Sequence, residues 1–210
     1  MDFVDSGLLS GEKELFAELE SKKGNLLLLG LGGGREAIFF AKSGFRVTGI
    51  DFVKEMVDKS MAHARESNVE IQGVVQDISQ LDFPHGSFDV IWFSCSIYSS
   101  VPGRKKRIEM LARAKQLLVP EGRVACLFYW NPSVRHGNKR WVAGKLLSWL
   151  TLGNFSCEKG DILKNNQEFL HAFSNQDDLH AEFAEAGFEV LRFVFPDASH
   201  NAGALLRKIH

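Results

Sequence analysis

Apolar residues along this chain occur in two alternating modes, short unbroken runs and stretches with helical spacing, and the alternation predicts an α/β domain. Leu26-Leu27-Leu28-Leu29 is an apolar run far too short for a membrane span, and it ends in glycines, Gly30 to Gly34. Residues 35–42 then take helical spacing, Ser43-Gly44 supplies a helix stop, and 46–50 is a second short apolar run. Strand, glycine turn, helix and strand make a β-α-β unit. Upstream, Ser10 suits a helix cap over 11–21, with Leu15, Phe16 and Leu19 inward and Glu12, Glu14 and Glu18 outward. Downstream, the pattern predicts a helix over 53–67 with Met56, Val57 and Met61 on one face. Strands over 69–75 and 90–93, a helix over 104–118 and a strand over 124–130 follow.

After residue 130 the rhythm breaks. Residues 131–165 open on Asn131-Pro132 and a basic polar turn and then run helically from Trp141 to Leu150. Trp141 and Trp149 fall on one face, because eight steps of about 100° nearly close a whole number of turns. A short extended stretch over 169–174 leads to a helix that starts at Asn175 and ends at Gly187. Strands over 188–195 and 204–209 close the chain, and the short connection between them predicts an antiparallel pair.

At 210 residues and 45% apolar, the chain fits a single domain over 1–210, with 1–24 as an N-terminal helical cap. A net charge of -1 argues against a broad polyanion-binding surface. Arg104-Lys105-Lys106-Arg107 places cations in a helix's first turn, against the macrodipole, which hints at an anionic partner; a solvated helix start is the plainer reading. The three cysteines, Cys95, Cys126 and Cys157, are scattered and suggest neither a disulfide framework nor a zinc cluster, so no metal is expected. A leader-like N-terminus and an apolar run of about 20 residues are both missing, and the expectation is a cytoplasmic protein with no membrane partner.

The chemistry concentrates at the glycines. Gly30, Gly32 and Gly34 let the backbone take positive φ or lie against a ligand, and the following helix turns its free N–H groups toward the same spot. Asp51 ends the second strand about 20 residues on, where a carboxylate accepts both hydroxyls of an adenosine ribose. The dinucleotide spacing G-x-G-x-x-G is absent, because Arg35 holds its third glycine position. The pattern is G-x-G-x-G, and with Arg35-Glu36-Ala37 and Val47-Thr48-Gly49-Ile50-Asp51 it resembles the first two motifs of class I S-adenosylmethionine-dependent methyltransferases. Two departures stand out: Leu28 replaces the acid usual two residues before the first glycine, and Glu121 replaces a glycine of the Leu-x-Pro-Gly-Gly turn.

The resemblance implies a Rossmann-like, seven-stranded, mostly parallel sheet with helices on both faces and an antiparallel last strand. It implies S-adenosylmethionine as cofactor, released as S-adenosylhomocysteine, and it makes residues 131–165 the cover over the substrate. Gly30, Gly32, Gly34 and Asp51 would hold the cofactor, with Ser94 at the end of the fourth strand. Phe52 would flank the adenine or pack a helix start. Asp77, with Ile78 beside it, would meet the adenine amine or serve as an N-cap.

The expected reaction is in-line methyl transfer to an oxygen or nitrogen of a small molecule, without metal or covalent intermediate. The Asn/Asp-Pro-Pro-Tyr/Phe sequence that orients planar amines is missing after the fourth strand, so a nucleobase amine is a poor acceptor. His171, Tyr98 and Tyr129 are the candidate bases, although His171 between aromatics also suits a satisfied core histidine. Cys95 has no neighbouring base to make it a nucleophile. Competing readings are a cofactor-binding protein without its own chemistry, an RNA-directed methyltransferase using the basic residues, and, last, an NAD-linked oxidoreductase. A monomer and a homodimer are both compatible with the chain.

Overall fold

The protein is described from a computed structural model covering residues 7–133, 158–164, 168–195 and 201–209. Its centre is β1 (Gly24–Leu29), whose last four residues are fully buried. Alternation sends Leu27 and Leu29 into one apolar layer and Leu26 and Leu28 into the other, so helices must cover both faces. β2 (Phe45–Asp51) lies parallel on one side of β1 and β4 (Phe88–Phe93) on the other. β3 (Gln72–Val75) extends the sheet beyond β2, and β5 (Leu118–Tyr129) extends it beyond β4, both parallel. Next to β5 runs β9 (Asn201–Lys208), antiparallel, and β8 (Phe188–Val194) forms the edge. The order is β3-β2-β1-β4-β5-β9-β8, the seven-stranded sheet with a reversed last strand that the motifs imply.

Helices α1 (Ser10–Ala17), α2 (Arg35–Lys42) and α3 (Lys54–Glu66) send Leu15, Ile38, Phe40 and Val57 into the layer holding Leu26 and Leu28. On the opposite face, α5 (Arg104–Leu117) and α6 (Gln176–Glu185) bury Leu111, Ala114, Leu179 and Phe183, joined there by the short α4 (Ile97–Ser100). The extended stretch expected over 169–174 overlaps β7 (Glu168–His171), but its antiparallel partner β6 (Asp161–Lys164) was not anticipated, nor was α4, entered through Ser96 at φ 64°. The expected tryptophan helix falls within 134–157, outside the described residues.

Local differences have physical causes. The third strand begins at Gln72 rather than residue 69, since only 72–75 find partners on β2. Met56 is 43% exposed, because only Val57 of that pair faces the sheet. Glu12, expected outside, is 1% exposed: its carboxylate accepts from the Leu9 backbone N–H at 2.7 Å and clamps Arg35 with both oxygens, at 2.7 and 2.8 Å. That clamp fixes α1 to the start of α2.

The basic start of α5 is likewise partnered from within. Arg107 is fully buried, with Nε 3.0 Å from Glu182 Oε2, Nη2 2.6 Å from Glu182 Oε1 and Nη2 2.9 Å from Glu158 Oε2. Tyr98 donates its hydroxyl to Glu182 at 2.6 Å, and Arg104 reaches Glu185 at 2.6 Å. The Glu158 carboxylate also accepts the Arg104 backbone N–H at 2.5 Å, placing an acid at the helix N-terminus where its dipole favours one. Glu182→Gln should therefore destabilise the protein by about 3–5 kcal/mol in urea unfolding, because it leaves Arg107 as a buried charge short of its main partner. Glu158→Gln should cost less, since Arg107 keeps Glu182 and Glu158 is 29% exposed.

Candidate active site

The strand ends that matter are stitched to one another. Gly30 and Leu31 both donate backbone N–H groups to the Ile50 carbonyl, at 3.0 and 2.9 Å, Ser94 donates to Leu29 at 3.0 Å, and Gln76 donates to Asp51 at 2.9 Å. The loops leaving β1, β2, β3 and β4 thus open on one crevice at the C-terminal edge of the sheet, beside the point where strand order reverses between β1 and β4.

Within the loop the glycines divide into two kinds. A Cβ on Gly30 would sit 2.7 Å from Ile97 Cγ1, and one on Gly34 would sit 2.5 Å from Ser60 Oγ, so these two are required by close packing. A Cβ on Gly32 or Gly33 would meet nothing within 4 Å, so this part of the loop presents bare backbone to open space. Asp51 faces it: Oδ2 accepts the Gly32 N–H at 2.9 Å and Oδ1 the Val53 N–H at 3.0 Å, which leaves each oxygen a further lone pair. His63 Nδ1 lies 2.9 Å from the Gly33 carbonyl and props the loop from α3. An open glycine cradle beside a half-buried carboxylate fits the ribose end of S-adenosylmethionine.

A second acid, Glu36, stands in this region. It is 6% exposed; Oε2 accepts the Ser94 hydroxyl at 2.6 Å, while Oε1 is buried without a hydrogen-bond partner. Burial, and then the neighbouring Glu12 carboxylate, push its pKa up to about 7. Sequence reasoning missed it. The available signal was its spacing of four from core Phe40, which places both on the inner face of α2.

Among the remaining sequence candidates, Ser94 joins Gly30 and Glu36, whereas Phe52 stands 78% exposed. Asp77 is exposed at the end of β3 and caps a short turn, accepting the Ser79 N–H at 2.7 Å, which holds its carboxyl below the usual range. Ile78 packs half-buried against the core. Tyr98 corrects an expectation: it is fully buried, its hydroxyl is committed to Glu182, and burial raises its pKa well above the ordinary value, so its place is in the core.

His171 lies elsewhere, lining a cavity of about 220 Å³ between α5, α6 and the β6–β7 hairpin, with none of the glycine-loop residues. Its Nδ1 is 2.8 Å from Asp161 Oδ1. Glu158, Asp161 and His171 hold candidate ligand atoms within 4.8 Å of one another, yet Arg107 and the Arg104 N–H already occupy Glu158, and the Glu158 N–H occupies Asp161. The arrangement as it stands is a hydrogen-bonded latch. Tyr129 is 7% exposed at the end of β5. A groove of about 750 Å³ opens at the opposite, N-terminal edge of the sheet, lined by residues such as Asn25, Arg46 and Gln72, and contains none of the site residues.

Asp51→Ala should weaken binding of S-adenosylhomocysteine by roughly 1.5–3 kcal/mol, about ten- to a hundredfold by calorimetry, through loss of charge-assisted hydrogen bonds. The glycines should separate. Gly32→Asn keeps a residue that tolerates its φ of +50° and meets no protein atom, so it should fold normally yet lose at least tenfold in affinity. Gly34→Ala should instead lower stability by about 1–3 kcal/mol through its clash with Ser60.

Residues 26–122 match the model of a methyltransferase domain family. Over 103 residues the chain is 34% identical to the 27-O-demethylrifamycin SV methyltransferase of Amycolatopsis mediterranei, covering 48% of this chain and 36% of that protein. A crystal structure of a SAM-dependent methyltransferase from Methanosarcina mazei matches with a TM-score of 0.74 at 19% identity, over 97% of this chain and 99% of that one. The 1,6-didemethyltoxoflavin-N1-methyltransferase of Burkholderia thailandensis, solved with 1,6-didemethyltoxoflavin and S-adenosylhomocysteine bound, matches with a TM-score of 0.69 at 20% identity, over 94% of this chain and 76% of that one. The chain spans about two fifths of the length of the curated relatives it matches. The structural likenesses establish the fold, and the sequence matches cover the half that carries the glycine loop and the strand-end acids. Sheet order, loop geometry and these matches agree on the Rossmann-like fold of S-adenosylmethionine-dependent methyltransferases, and residues 26–122 are similar to a methyltransferase domain.

Proposed function

We propose that this protein transfers a methyl group from S-adenosylmethionine to an oxygen or nitrogen of a small molecule. The observation that carries the reading is the pairing of bare backbone at Gly32 and Gly33 with the Asp51 carboxylate across one crevice. Asp51 takes the ribose diol, exposed Phe52 offers its ring to the adenine, and Asp77 with Ile78 stands at the adenine edge. Ser94 borders the methionyl end. The rifamycin and toxoflavin relatives act on small molecules, which supports an acceptor of that class. Against a nucleic-acid surface weigh the net charge of -1 and the internal partners of Arg104 and Arg107.

The cofactor, when bound, supplies an electrophilic methyl on a sulfonium; the protein's part is alignment and exclusion of water. We assign residues 131–165 to covering the acceptor. Although it lines the cavity beside α5 and α6 and not the glycine loop, His171 is assigned as the acceptor-side base: in the tautomer whose Nδ1 donates to Asp161, 2.8 Å away, Nε2 carries the lone pair a proton acceptor needs.

Incubation with labelled S-adenosylmethionine and cell extract divided into small-molecule and RNA fractions should give label transfer and S-adenosylhomocysteine with the small-molecule fraction. Transfer confined to RNA would replace the small-molecule reading. Once an acceptor is found, His171→Gln should lower kcat at least tenfold while affinity for S-adenosylhomocysteine stays within twofold. An unchanged kcat would leave His171 with the latch alone.

A further inference from the structure

The methionyl end of the cofactor carries an ammonium group, and Leu28 stands where the resembled family usually carries an acid, two residues before the first glycine. Leu28 is fully buried on the α2 side of the sheet and is the register partner of Trp92 on β4. Glu36 descends onto that same layer from the first turn of α2. The Trp92 indole N–H approaches its carboxylate closely enough to favour the charged form, yet neither Trp92 Nε1 nor Glu36 Oε1 completes a hydrogen bond. Ser94, which holds Oε2, has its Cβ 3.3 Å from where a side chain on Gly30 would begin. The carboxylate is therefore one residue deep behind the first glycine of the loop, with one oxygen satisfied and one not.

An ionised carboxylate oxygen buried without a donor is strongly unfavourable, and native proteins keep such a group where a ligand or a water completes it. The charges around it fall short of doing so. Arg35 Nη2 is 3.7 Å away, and that guanidinium makes its short contacts with Glu12 instead. Glu12 is a second acid in the same pocket, and Cys95, 3.7 Å from the Ser96 hydroxyl and raised in pKa by burial, contributes no cation. Two carboxylates thus share one guanidinium, and the site is short of one positive charge.

We propose that Glu36 supplies the carboxylate that pairs with the ammonium of the cofactor's methionyl end, taking over from the helix the position that Leu28 vacates on the strand. This rests on the cofactor assignment above and names the residue that reads the amino-acid portion. Pairing with a cation favours the ionised carboxylate, so ligand binding near neutral pH drives a proton off Glu36.

The test compares two ligands that share the adenosyl thioether: S-adenosylhomocysteine, which has the ammonium, and 5′-methylthioadenosine, which does not. By calorimetry, Glu36→Gln should weaken S-adenosylhomocysteine at least tenfold and change methylthioadenosine less than twofold, and Leu28→Glu in the Glu36→Gln background should restore part of the loss. Equal weakening of both ligands, or of neither, overturns the proposal while leaving the cofactor assignment standing. Wild-type protein that binds neither ligand overturns both. Wild-type protein alone gives an independent readout: at pH 7, titrations in two buffers of different ionisation enthalpy should show proton release with S-adenosylhomocysteine and none with methylthioadenosine. Absence of that difference also rejects the assignment, whether or not the variant folds.

Discussion

The placement of β1 constrains everything else. It is buried on both faces and flanked by parallel partners on both edges, so the chain must leave it, cross over a face and return on each side in turn. Crossing one way produces β2 and β3, crossing the other way produces β4 and β5, and the two series part company at the C-terminal end of β1. No helix can fill the gap at that edge, because successive crossovers diverge from it. A glycine loop fills it instead, and the backbone N–H of Gly32 is left facing Asp51 rather than a helical carbonyl. The crevice is thus a consequence of topology before it is a feature of any side chain.

Around that frame, most of the buried charge among the described residues falls into two separate clusters, one on each face of the sheet, while Arg123 stands apart with Glu20. Glu12, Arg35 and Glu36 join α1 to α2 on one face; Arg107, Glu182, Glu158 and Tyr98 join α4, α5, α6 and the approach to β6 on the other. Neither cluster increases stability over a well-packed apolar alternative by any general rule, but removing the main partner of either guanidinium leaves a buried charge uncompensated. Their effect is to fix which helix end meets which loop. In the second cluster, Glu158 ties the chain just before β6 to the start of α5 through both oxygens, and Asp161 and His171 close the same turn.

Legibility in the sequence follows this division. Leu26 to Leu29, the glycines and Asp51 are local signals: burial of a strand on both faces forces an unbroken apolar run, and a turn at positive φ selects glycine, so the sheet and the glycine-loop side of the crevice can be read in order along the chain. Long-range charge pairing leaves no comparable trace. Glu12 looks like a solvent-facing residue of an amphipathic helix until Arg35, 23 positions away, is brought against it. Arg107 looks like an anion-seeking cation until Glu182, 75 positions away, neutralises it. Tyr98 is placed near the right strand end by sequence, yet its ring turns toward Phe173 and Phe183 and away from the crevice, a choice made by packing. The β7 stretch was read as extended, but its partner β6 escaped notice because a four-residue strand beside an irregular segment carries too little alternation to register.

Moving an acid from β1 to α2 changes more than its address. A carboxylate on the central strand would be held by the sheet alone and would act only on what enters the crevice. On α2 it neighbours Arg35, 3.7 Å away, whose stronger contacts hold Glu12 and, through Nη1 at 2.6 Å, the Gly7 carbonyl. The charge state of Glu36 is therefore felt by the residue that docks α1. When Glu36 is neutral, Arg35 serves Glu12 without competition; when Glu36 is ionised and unpaired, two acids compete for one guanidinium and the docking of α1 weakens. A cation beside Glu36 removes that competition. By reciprocity, docking of α1, which sets the Glu12 carboxylate against Arg35, disfavours an ionised and unpaired Glu36, so a cation beside Glu36 and the docking of the N-terminal helix on the start of α2 are thermodynamically linked through a single arginine.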